Sequence, residues 1–254
     1  MLDIYPIPAL KDNYIWAIHD KRHAVVVDPG DAAPVLDFLN SRQLQLSAIL
    51  CTHHHNDHTG GICDLLQVYN VPAYGPRLES IDCMRYPVGE ADLIYVPAMD
   101  LHISIIDIPG HTKGHIAYLT LGSVFCGDTL FGCGCGRIFD GNANDLNHSL
   151  RRLGNLPEET HVYCTHEYTE ANIRFARRIE PDNIDLEARE ETVKALRASR
   201  KPTLPSTIGL EKATNPFLRC HEPDVVGSVE LHVGHLLQTE LEVFTALREW
   251  KNSA

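Results

Sequence analysis

Four of the fifteen histidines of this chain fall within six residues, in the run His53-His54-His55-Asn56-Asp57-His58. The run directly follows an apolar stretch, residues 48–51, whose pattern predicts a short strand. Histidine and aspartate offer a fold no apolar surface to bury, whereas neutral imidazole and carboxylate are ligands that suit a divalent cation such as zinc. The run therefore predicts a metal-binding loop, and it requires a sheet whose other strand ends can deliver further ligands.

The spacing within the run divides it between two cations. In extended backbone, side chains at positions i and i+2 point the same way, so His53 and His55 can share one metal. Asp57 and His58 can reach a second metal nearby, whereas His54 points the opposite way and is not expected to be a ligand. Four ligands are too few for two cations, so the remaining ones are expected in other loops that follow strands.

Three later loops follow apolar stretches and carry one candidate ligand each: His111, Asp128 and His166. Strand ends of a sheet converge at one edge, so these loops can meet the histidine run. A carboxylate such as Asp128 has two oxygens and can bridge two cations. Asp28, in the sequence Asp-Pro-Gly, fits either a hydrogen bond to a ligand histidine or an ordinary turn, and both interpretations stay open.

The pattern of elements changes along the chain. Up to about residue 166, strands alternate with helices, and many strands are only a hairpin apart, which favours two packed or mixed sheets over a purely parallel one. Beyond that point, helical patterns cover residues 169–179, 185–199 and 236–250. We therefore expect a boundary near residue 170, with a metal-binding domain of residues 1–170 and a helical domain of residues 171–254.

Charge and composition exclude several kinds of partner. The chain has 22 Lys and Arg against 34 Asp and Glu, a net charge of −12, which argues against nucleic acid or an anionic membrane as its main partner. No apolar run approaches the ~20 residues that a membrane helix needs. The beginning of the chain lacks the pattern of a secretory signal, so we expect a cytoplasmic monomer whose eight cysteines are reduced.

A glycine-rich stretch, Gly132-Cys133-Gly134-Cys135-Gly136-Arg137, lacks the Lys-Ser/Thr ending of a phosphate-binding loop. Its thiols could serve as a nucleophile or as ligands. The favoured interpretation is that small residues here let the backbone approach a ligand closely. The sequence leaves the role of Cys133 and Cys135 undecided.

The segment from Thr52 to His58 resembles the signature of the metallo-β-lactamase superfamily, and the likeness extends along the whole chain. Within the superfamily the chain resembles the glyoxalase II (hydroxyacylglutathione hydrolase) family, most specifically in His166-Glu167-Tyr168-Thr169 and in the helical C-terminal extension. The other similar segments are Asp12-Asn13-Tyr14, Pro109-Gly110-His111-Thr112, Phe125-Cys126-Gly127-Asp128-Thr129-Leu130-Phe131, Gly134-Cys135-Gly136-Arg137 and Asn215-Pro216-Phe217.

The resemblance implies an α/β fold, an αββα sandwich of two mixed sheets flanked by helices, followed by a small all-helical C-terminal domain. It also implies two divalent metal ions, with zinc expected first and iron or manganese as alternatives. By resemblance, the first metal is held by His53, His55 and His111, the second by Asp57, His58 and His166, and Asp128 bridges them.

The family's activity, by the same resemblance, is hydrolysis of S-D-lactoylglutathione and related 2-hydroxyacyl glutathione thioesters to glutathione and D-lactate or its analogues. This reaction is the second step of methylglyoxal detoxification. A hydroxide that bridges the metals attacks the thioester carbonyl, and Asp57 orients it. The products and the substrate are small molecules, so no macromolecular partner is expected.

The glutathione-contacting positions of the family correspond to Arg137, Tyr168, Arg248 and Lys251. Arg137 stands where some members have Lys, and Phe139 stands where some have Tyr, so one hydroxyl contact is lost. Without the resemblance, the favoured interpretation of Arg248 and Lys251 is a solvated helix end, where cations suit the helix dipole.

Two rival functions are considered. The first is a mononuclear-iron glutathione persulfide dioxygenase of the same superfamily, against which the helical extension with Arg248 and Lys251 argues. The second is a non-catalytic metal-binding or scaffolding module, against which the complete set of seven candidate ligands argues. Metal content and oxygen consumption separate the first rival from a hydrolase.

Overall fold

A computed structural model describes residues 2–254 of the chain. These residues form two units, and the first comprises the chain up to Asp107 together with Lys113–Gly127. The second comprises Ile108–Thr112 and Asp128–Ala254.

The first unit begins with a six-stranded sheet in the order β1-β2-β3-β4-β5-β6. Its strands are β1 (Asp3–Ala9), β2 (Asn13–His19), β3 (His23–Val27), β4 (Gln45–Leu50), β5 (Ala73–Pro76) and β6 (Tyr86–Val88). The sheet is mixed, because β1, β2 and β3 are antiparallel neighbours whereas β3 to β6 run parallel. The parallel strands β3 and β4 therefore end on the same side, where the histidine run begins.

Three helices follow strands of this sheet: α1 (Ala32–Arg42), the single turn α2 (Asn56–Thr59) and α3 (Ile62–Val68). Asp31 caps α1 by accepting a hydrogen bond from the backbone N–H of Ala33. Apolar side chains of α1 and α3, among them Leu39 and Leu65, are buried in one cluster with strand residues such as Val26 and Ile49. This burial fixes both helices to one face of the sheet.

The other strands of the first unit form an antiparallel group in the order β10-β9-β8-β7. They are β7 (Leu93–Val96), β8 (Leu101–Asp107), β9 (Ile116–Thr120) and β10 (Ser123–Gly127). The fully buried Tyr118 of β9 donates its hydroxyl to the carbonyl oxygens of Cys51, at 2.7 Å, and Tyr74, at 3.2 Å. These bonds hold β9 against the first sheet, as a sandwich requires.

The second unit is largely helical. Its strands are β11 (Leu130–Phe131), β12 (Gly134–Cys135), β13 (His161–Cys164) and β14 (Ser206–Thr207), which pair antiparallel as β11 with β12 and β13 with β14. Its helices are α4 (Ala143–Gly154), α5 (Thr169–Ile179), α6 (Ile184–Ala198), α7 (Ile208–Thr214), α8 (Pro223–Val233) and α9 (Glu240–Asn252). The expected α/β class, with two sheets, flanking helices and a helical C-terminal region, is confirmed.

A buried ion pair organises the second unit. Glu211 and Arg189 are paired out of solvent, and the Glu211 carboxylate also accepts hydrogen bonds from the Cys133 N–H and the Asn215 amide. The Asn215 amide donates further to the carbonyl oxygens of Phe131 and Gly134. The helical segment therefore fixes the β11–β12 hairpin that contains most of the glycine-rich stretch.

The cysteines differ in part from expectation. Cys63 of α3 and Cys83 form a disulfide, so the expectation that all eight thiols are reduced is wrong for this pair. Their Cα atoms lie 5.5 Å apart, within the range that a disulfide spans, but a separation of 20 residues gave no signal in the sequence. The other six cysteines are buried thiols. None of the helices within residues 2–254 is long and apolar enough to cross a membrane.

Candidate metal centre

The histidine run begins where β3 and β4 end side by side. The Asp28 carboxylate, just beyond β3, accepts hydrogen bonds from the Thr52 N–H at 2.7 Å and the Thr52 hydroxyl at 2.8 Å. The Cys51 thiol donates to the carbonyl oxygen of His53 at 3.0 Å. Hydrogen bonds of the protein itself therefore hold the start of the run against the neighbouring strand end.

Within the first unit, the four candidate ligands of the run lie together. Nε2 of His53 and Nδ1 of His55 are 3.1 Å apart, and the ring centroids of His53 and His58 are 4.0 Å apart. Oδ2 of Asp57 lies 3.5 Å from Nε2 of His58. Such a concentration of imidazole and carboxylate atoms is suited to holding a cation.

The orientation of His58 is set by Asp28. Nδ1 of His58 lies 3.0 Å from Oδ2 of Asp28, and both side chains are buried. A proton on Nδ1 that is donated to this carboxylate leaves the lone pair of Nε2 for a metal. The structure thus places the Asp28 carboxylate against a candidate ligand histidine, in addition to its place in a turn.

Asn13 is a site residue to which sequence reasoning gave no role. Its side-chain amide donates to Oδ2 of Asp57 at 3.1 Å and to the Asp57 carbonyl oxygen at 3.4 Å. The only sequence signal was its place in a segment that resembles the family. His115 is also buried in the first unit, and its ring stacks on that of His53 at a centroid distance of 4.5 Å.

The second unit contributes the other three candidates, which also lie together. Oδ2 of Asp128 is 3.6 Å from Nε2 of His111 and 3.3 Å from Nε2 of His166. Nδ1 of His111 is 2.7 Å from the carbonyl oxygen of Arg137, so a proton on Nδ1 is donated there and Nε2 keeps its lone pair. One carboxylate oxygen therefore lies close to two imidazole nitrogens.

Gly136 allows the backbone to pass close to these groups. A Cβ atom at this position would collide with the carbonyl oxygen of Asp128 and lie 3.1 Å from Nδ1 of His111. The two neighbouring thiols are buried, and burial raises the pKa of Cys133 to about 12 and that of Cys135 above its usual range. Both groups are thus protonated at neutral pH, which makes them poor nucleophiles and poor ligands.

The four residues expected to contact glutathione all belong to the second unit. Arg137 is exposed, and the ring of the partly exposed Tyr168 stacks on that of His166 at 4.7 Å. Arg248 is only 4% exposed, and its guanidinium donates to the carbonyl oxygen of Cys135 at 2.8 Å. Arg248 is therefore not part of a solvated helix end.

Lys251 lies one helical turn beyond Arg248 on α9 and is also partly buried. Its ammonium group is 4.7 Å from the centre of the Phe175 ring, close enough for a cation–π contact. Burial and, after it, the nearby Arg248 guanidinium lower the pKa of Lys251 to about 8. An anion bound at this amine would relieve both effects.

The chemistry of the donors fits divalent cations. The seven candidates comprise five imidazoles and two carboxylates, the ligand types of zinc and of first-row transition metals with similar preferences. In His58 and His111 a buried acceptor faces Nδ1, and such an acceptor would leave the lone pair of Nε2 for a metal ion.

Comparisons with known proteins cover the whole chain. Residues 10–166 match the family model of the metallo-β-lactamase superfamily, and residues 167–254 match the model described as hydroxyacylglutathione hydrolase C-terminus. A protein of Nitrosomonas eutropha named hydroxyacylglutathione hydrolase is 53% identical over 253 residues, which cover 100% of this chain and 99% of that protein.

Two solved structures share the fold. The structure of ETHE1 from Myxococcus xanthus is 25% identical in sequence with a TM-score of 0.66, and the match covers 98% of each chain. The structure of the BLEG-1 B3 metallo-β-lactamase is 22% identical with a TM-score of 0.64, and the match covers 86% of this chain and 99% of that one.

Proposed function

This chain belongs to the hydroxyacylglutathione hydrolase family of the metallo-β-lactamase superfamily, and we propose that it hydrolyses S-D-lactoylglutathione and related 2-hydroxyacyl glutathione thioesters. The observation that carries the proposal is 53% identity over the full length of a protein with that name. In the reaction, the oxygen of water forms a bond to the acyl carbon and the carbon–sulfur bond breaks. The products are glutathione and a 2-hydroxy acid, D-lactate for the first substrate.

We propose that His53, His55 and His111 hold one divalent cation and that Asp57, His58 and His166 hold a second, with Asp128 bridging them. The short distances within the histidine run support the first part, and the position of Asp128 against two imidazoles supports the bridge. Zinc is the proposed metal, with iron and manganese as alternatives that metal analysis distinguishes.

When bound, two such cations lower the pKa of water and polarise a carbonyl group. Asp57, whose Oδ2 accepts a hydrogen bond from the Asn13 amide, would orient the attacking water toward the acyl carbon. The leaving thiolate has a conjugate acid with a pKa of about 8.5, so departure needs no strong general acid.

For the substrate, we propose contacts from Arg137, Tyr168, Arg248 and Lys251. Glutathione carries two carboxylates, and an exposed guanidinium and a partly buried ammonium are suitable partners for them. We also propose that residues 1–170 form the catalytic domain and residues 171–254 the substrate-binding domain. The two family models, which meet between residues 166 and 167, support this division.

The rival persulfide dioxygenase is less well supported. The ETHE1 structure is 25% identical to this chain, against 53% for the Nitrosomonas eutropha hydrolase. Residues 167–254 also match a model specific to the C-terminus of the hydrolases. We therefore keep the dioxygenase only as an outcome of the test.

The test is steady-state hydrolysis of S-D-lactoylglutathione beside a simple alkyl thioester and a β-lactam, with metal analysis of the same sample. We expect turnover of the glutathione thioester far above that of the other two, and two metal ions per chain. Oxygen uptake with glutathione persulfide and a single iron would identify the dioxygenase instead. Full activity after metal stripping and dialysis would refute a metal-dependent hydrolase.

We propose a cytoplasmic monomer that acts on a small molecule and binds neither nucleic acid nor a membrane. The net charge of −12 supports the exclusion of polyanionic partners. Sedimentation tests the monomer, and thiol titration of freshly lysed cells tests the state of Cys63 and Cys83.

A further inference from the structure

Glu79 stands outside the candidate ligand set, in the segment between β5 and β6, yet it is bound to the histidine run. Its side chain is only 5% exposed. Oε2 accepts a hydrogen bond from the His54 N–H at 2.6 Å and lies 2.9 Å from Nδ1 of the same residue. Oε1 accepts a hydrogen bond from the Gly114 N–H at 3.1 Å. All three residues belong to the first unit.

The two backbone amides that Glu79 binds are adjacent to the imidazole cluster. His54 lies between two candidate ligands, so fixing its main chain and its ring fixes the directions of His53 and His55. Gly114 directly precedes His115, whose ring stacks on His53 at 4.5 Å. One carboxylate therefore holds the residue that follows His53 and the residue that precedes His115, the partner of the His53 ring.

The residue type at position 114 is a second, independent observation that the Gly114 backbone and the Glu79 segment are in close contact. A Cβ atom at position 114 would lie 2.5 Å from Cγ of Glu79 and 3.0 Å from Cβ of Leu78. Real Cβ atoms are not found so close to other atoms, so a side chain here would push the two segments apart. The close contact thus depends on a glycine on one side and on a buried carboxylate on the other.

The segment that carries Glu79 is itself held in place. The Glu79 N–H donates to the carbonyl oxygen of Pro76 at 3.3 Å, and the Arg77 N–H donates to that of Val88 at 2.8 Å. Four residues after Glu79, Cys83 is bonded to Cys63 of α3, the helix that follows the histidine run. The segment that carries the Glu79 carboxylate is therefore fixed by backbone hydrogen bonds and by a nearby disulfide.

We propose that Glu79 is a positioning residue of the metal centre. It contacts neither the cations nor the substrate, but it holds His54 and Gly114 so that His53 and His55 present their imidazoles in one arrangement. The inference rests on the proposed function only in that the histidine run binds metal ions. It does not depend on which substrate is hydrolysed.

The variants are Glu79→Ala, which removes both acceptor oxygens, and Glu79→Gln, which keeps one carbonyl oxygen in the same place. The matched control is Asp20→Asn in the same unit. Asp20 also accepts two backbone N–H groups, those of Arg22 and His23 at 2.6 Å each, but in the turn at the opposite end of β3 from Asp28.

The first measurement is amide hydrogen exchange in the metal-free protein. Glu79→Ala is expected to accelerate exchange at both His54 and Gly114 by about tenfold or more, because each amide loses a charged acceptor. Glu79→Gln is expected to accelerate only one of the two. Asp20→Asn, in which the Oδ1 that accepts the Arg22 and His23 N–H groups is kept as a carbonyl oxygen, should leave exchange at His54 and Gly114 unchanged.

The second measurement is metal affinity by competition with a chelator, using zinc as the probe. We expect a loss of 10–100-fold for Glu79→Ala, a smaller loss for Glu79→Gln, and none for Asp20→Asn. Glu79→Gln should regain near wild-type kcat at saturating zinc, which a general loss of folding would not allow.

Unchanged exchange at both amides, or wild-type zinc affinity in Glu79→Gln and Glu79→Ala, would overturn the proposal. If the wild type binds two metal ions but does not hydrolyse the glutathione thioester, the proposed function fails while the exchange and affinity data still decide the role of Glu79.

Discussion

Oδ2 of Asp28 lies 3.0 Å from Nδ1 of His58, with both side chains removed from solvent. The pair joins the end of β3 to one of the residues proposed to hold the second cation. Asp28 adopts a positive φ of 54°, an uncommon conformation for a residue with a side chain, which turns the chain directly beyond the strand. The turn at Asp28 thus places its carboxylate where it orients the imidazole of His58.

Replacement Asp28→Asn tests whether the carboxylate orients the His58 imidazole. The amide group can present an N–H to Nδ1 of His58, which would move the imidazole proton to Nε2 and remove the metal-binding lone pair. We expect a 10–100-fold loss of metal affinity with a folded protein, measured by chelator competition. Wild-type affinity in this variant would assign Asp28 to the turn alone.

Replacement Asp128→Ala tests the bridging ligand. Because its carboxylate faces both His111 and His166, its removal should release both metal ions or abolish nearly all turnover. Metal analysis by mass spectrometry and the rate with S-D-lactoylglutathione give the result. Retention of two metals and an unchanged rate would contradict the bridge.

The double replacement Arg248→Ala with Lys251→Ala tests substrate binding. We expect KM to rise far more than kcat falls, because uniform binding of the glutathione moiety is lost. The single variants should differ in one respect: Arg248→Ala also loses its hydrogen bond to the Cys135 carbonyl and so lowers stability, whereas Lys251→Ala loses no such bond. Lys194→Ala, an exposed lysine on α6, is the control. An unaltered KM would mean that neither residue contributes to substrate binding.

The depressed pKa of Lys251 makes stability depend on pH. In the folded chain the pKa is about 8, against about 10.4 when unfolded, so between these values the unfolded chain binds more protons. The free energy of unfolding of the wild type, relative to Lys251→Met, should therefore increase as the pH rises from 8 to 10. Denaturant titrations at several pH values measure the difference, and a flat profile would mean that the amine is not desolvated.

Removing the disulfide tests the anchoring of the segment that carries Glu79. The bond closes a loop with a sequence separation of 20, for which chain entropy predicts a loss of about 3 kcal/mol in Cys63→Ser with Cys83→Ser. We also expect faster amide exchange at His54, since Glu79 loses its nearest covalent anchor. Cys220→Ser, a buried thiol of the other unit, controls for loss of a cysteine as such. Slow exchange at His54 in the double variant would show that the segment is held without the disulfide.

The sequence was most informative where a local pattern has one physical explanation. The alternating histidines from His53 to His55 after an apolar stretch predicted a loop with both imidazoles on one side, and the structure brings their nitrogens within 3.1 Å. The helical C-terminal region followed from apolar periodicity and is confirmed. Such patterns can be interpreted from the sequence because secondary structure and ligand spacing both depend on neighbouring residues.

Sequence reasoning missed the groups that act across long stretches of chain. Glu79 is 25 residues from His54 and 35 from Gly114, and no motif marks it. Asn13 reaches Asp57 over 44 residues, and Cys63 reaches Cys83 through a tertiary contact. These pairings depend on the order of strands in the sheet, which a single sequence does not specify.

The burial of Cys133 and Cys135 has a chemical consequence for an enzyme whose product is a thiol. Only a thiolate exchanges with a disulfide, and with a pKa of about 12 the Cys133 thiol stays protonated at neutral pH. Oxidised glutathione that entered with the product pool would find no reactive partner at these two positions. The glycine-rich stretch thus keeps its sulfur atoms inert beside a reaction that releases sulfur nucleophiles at every turnover.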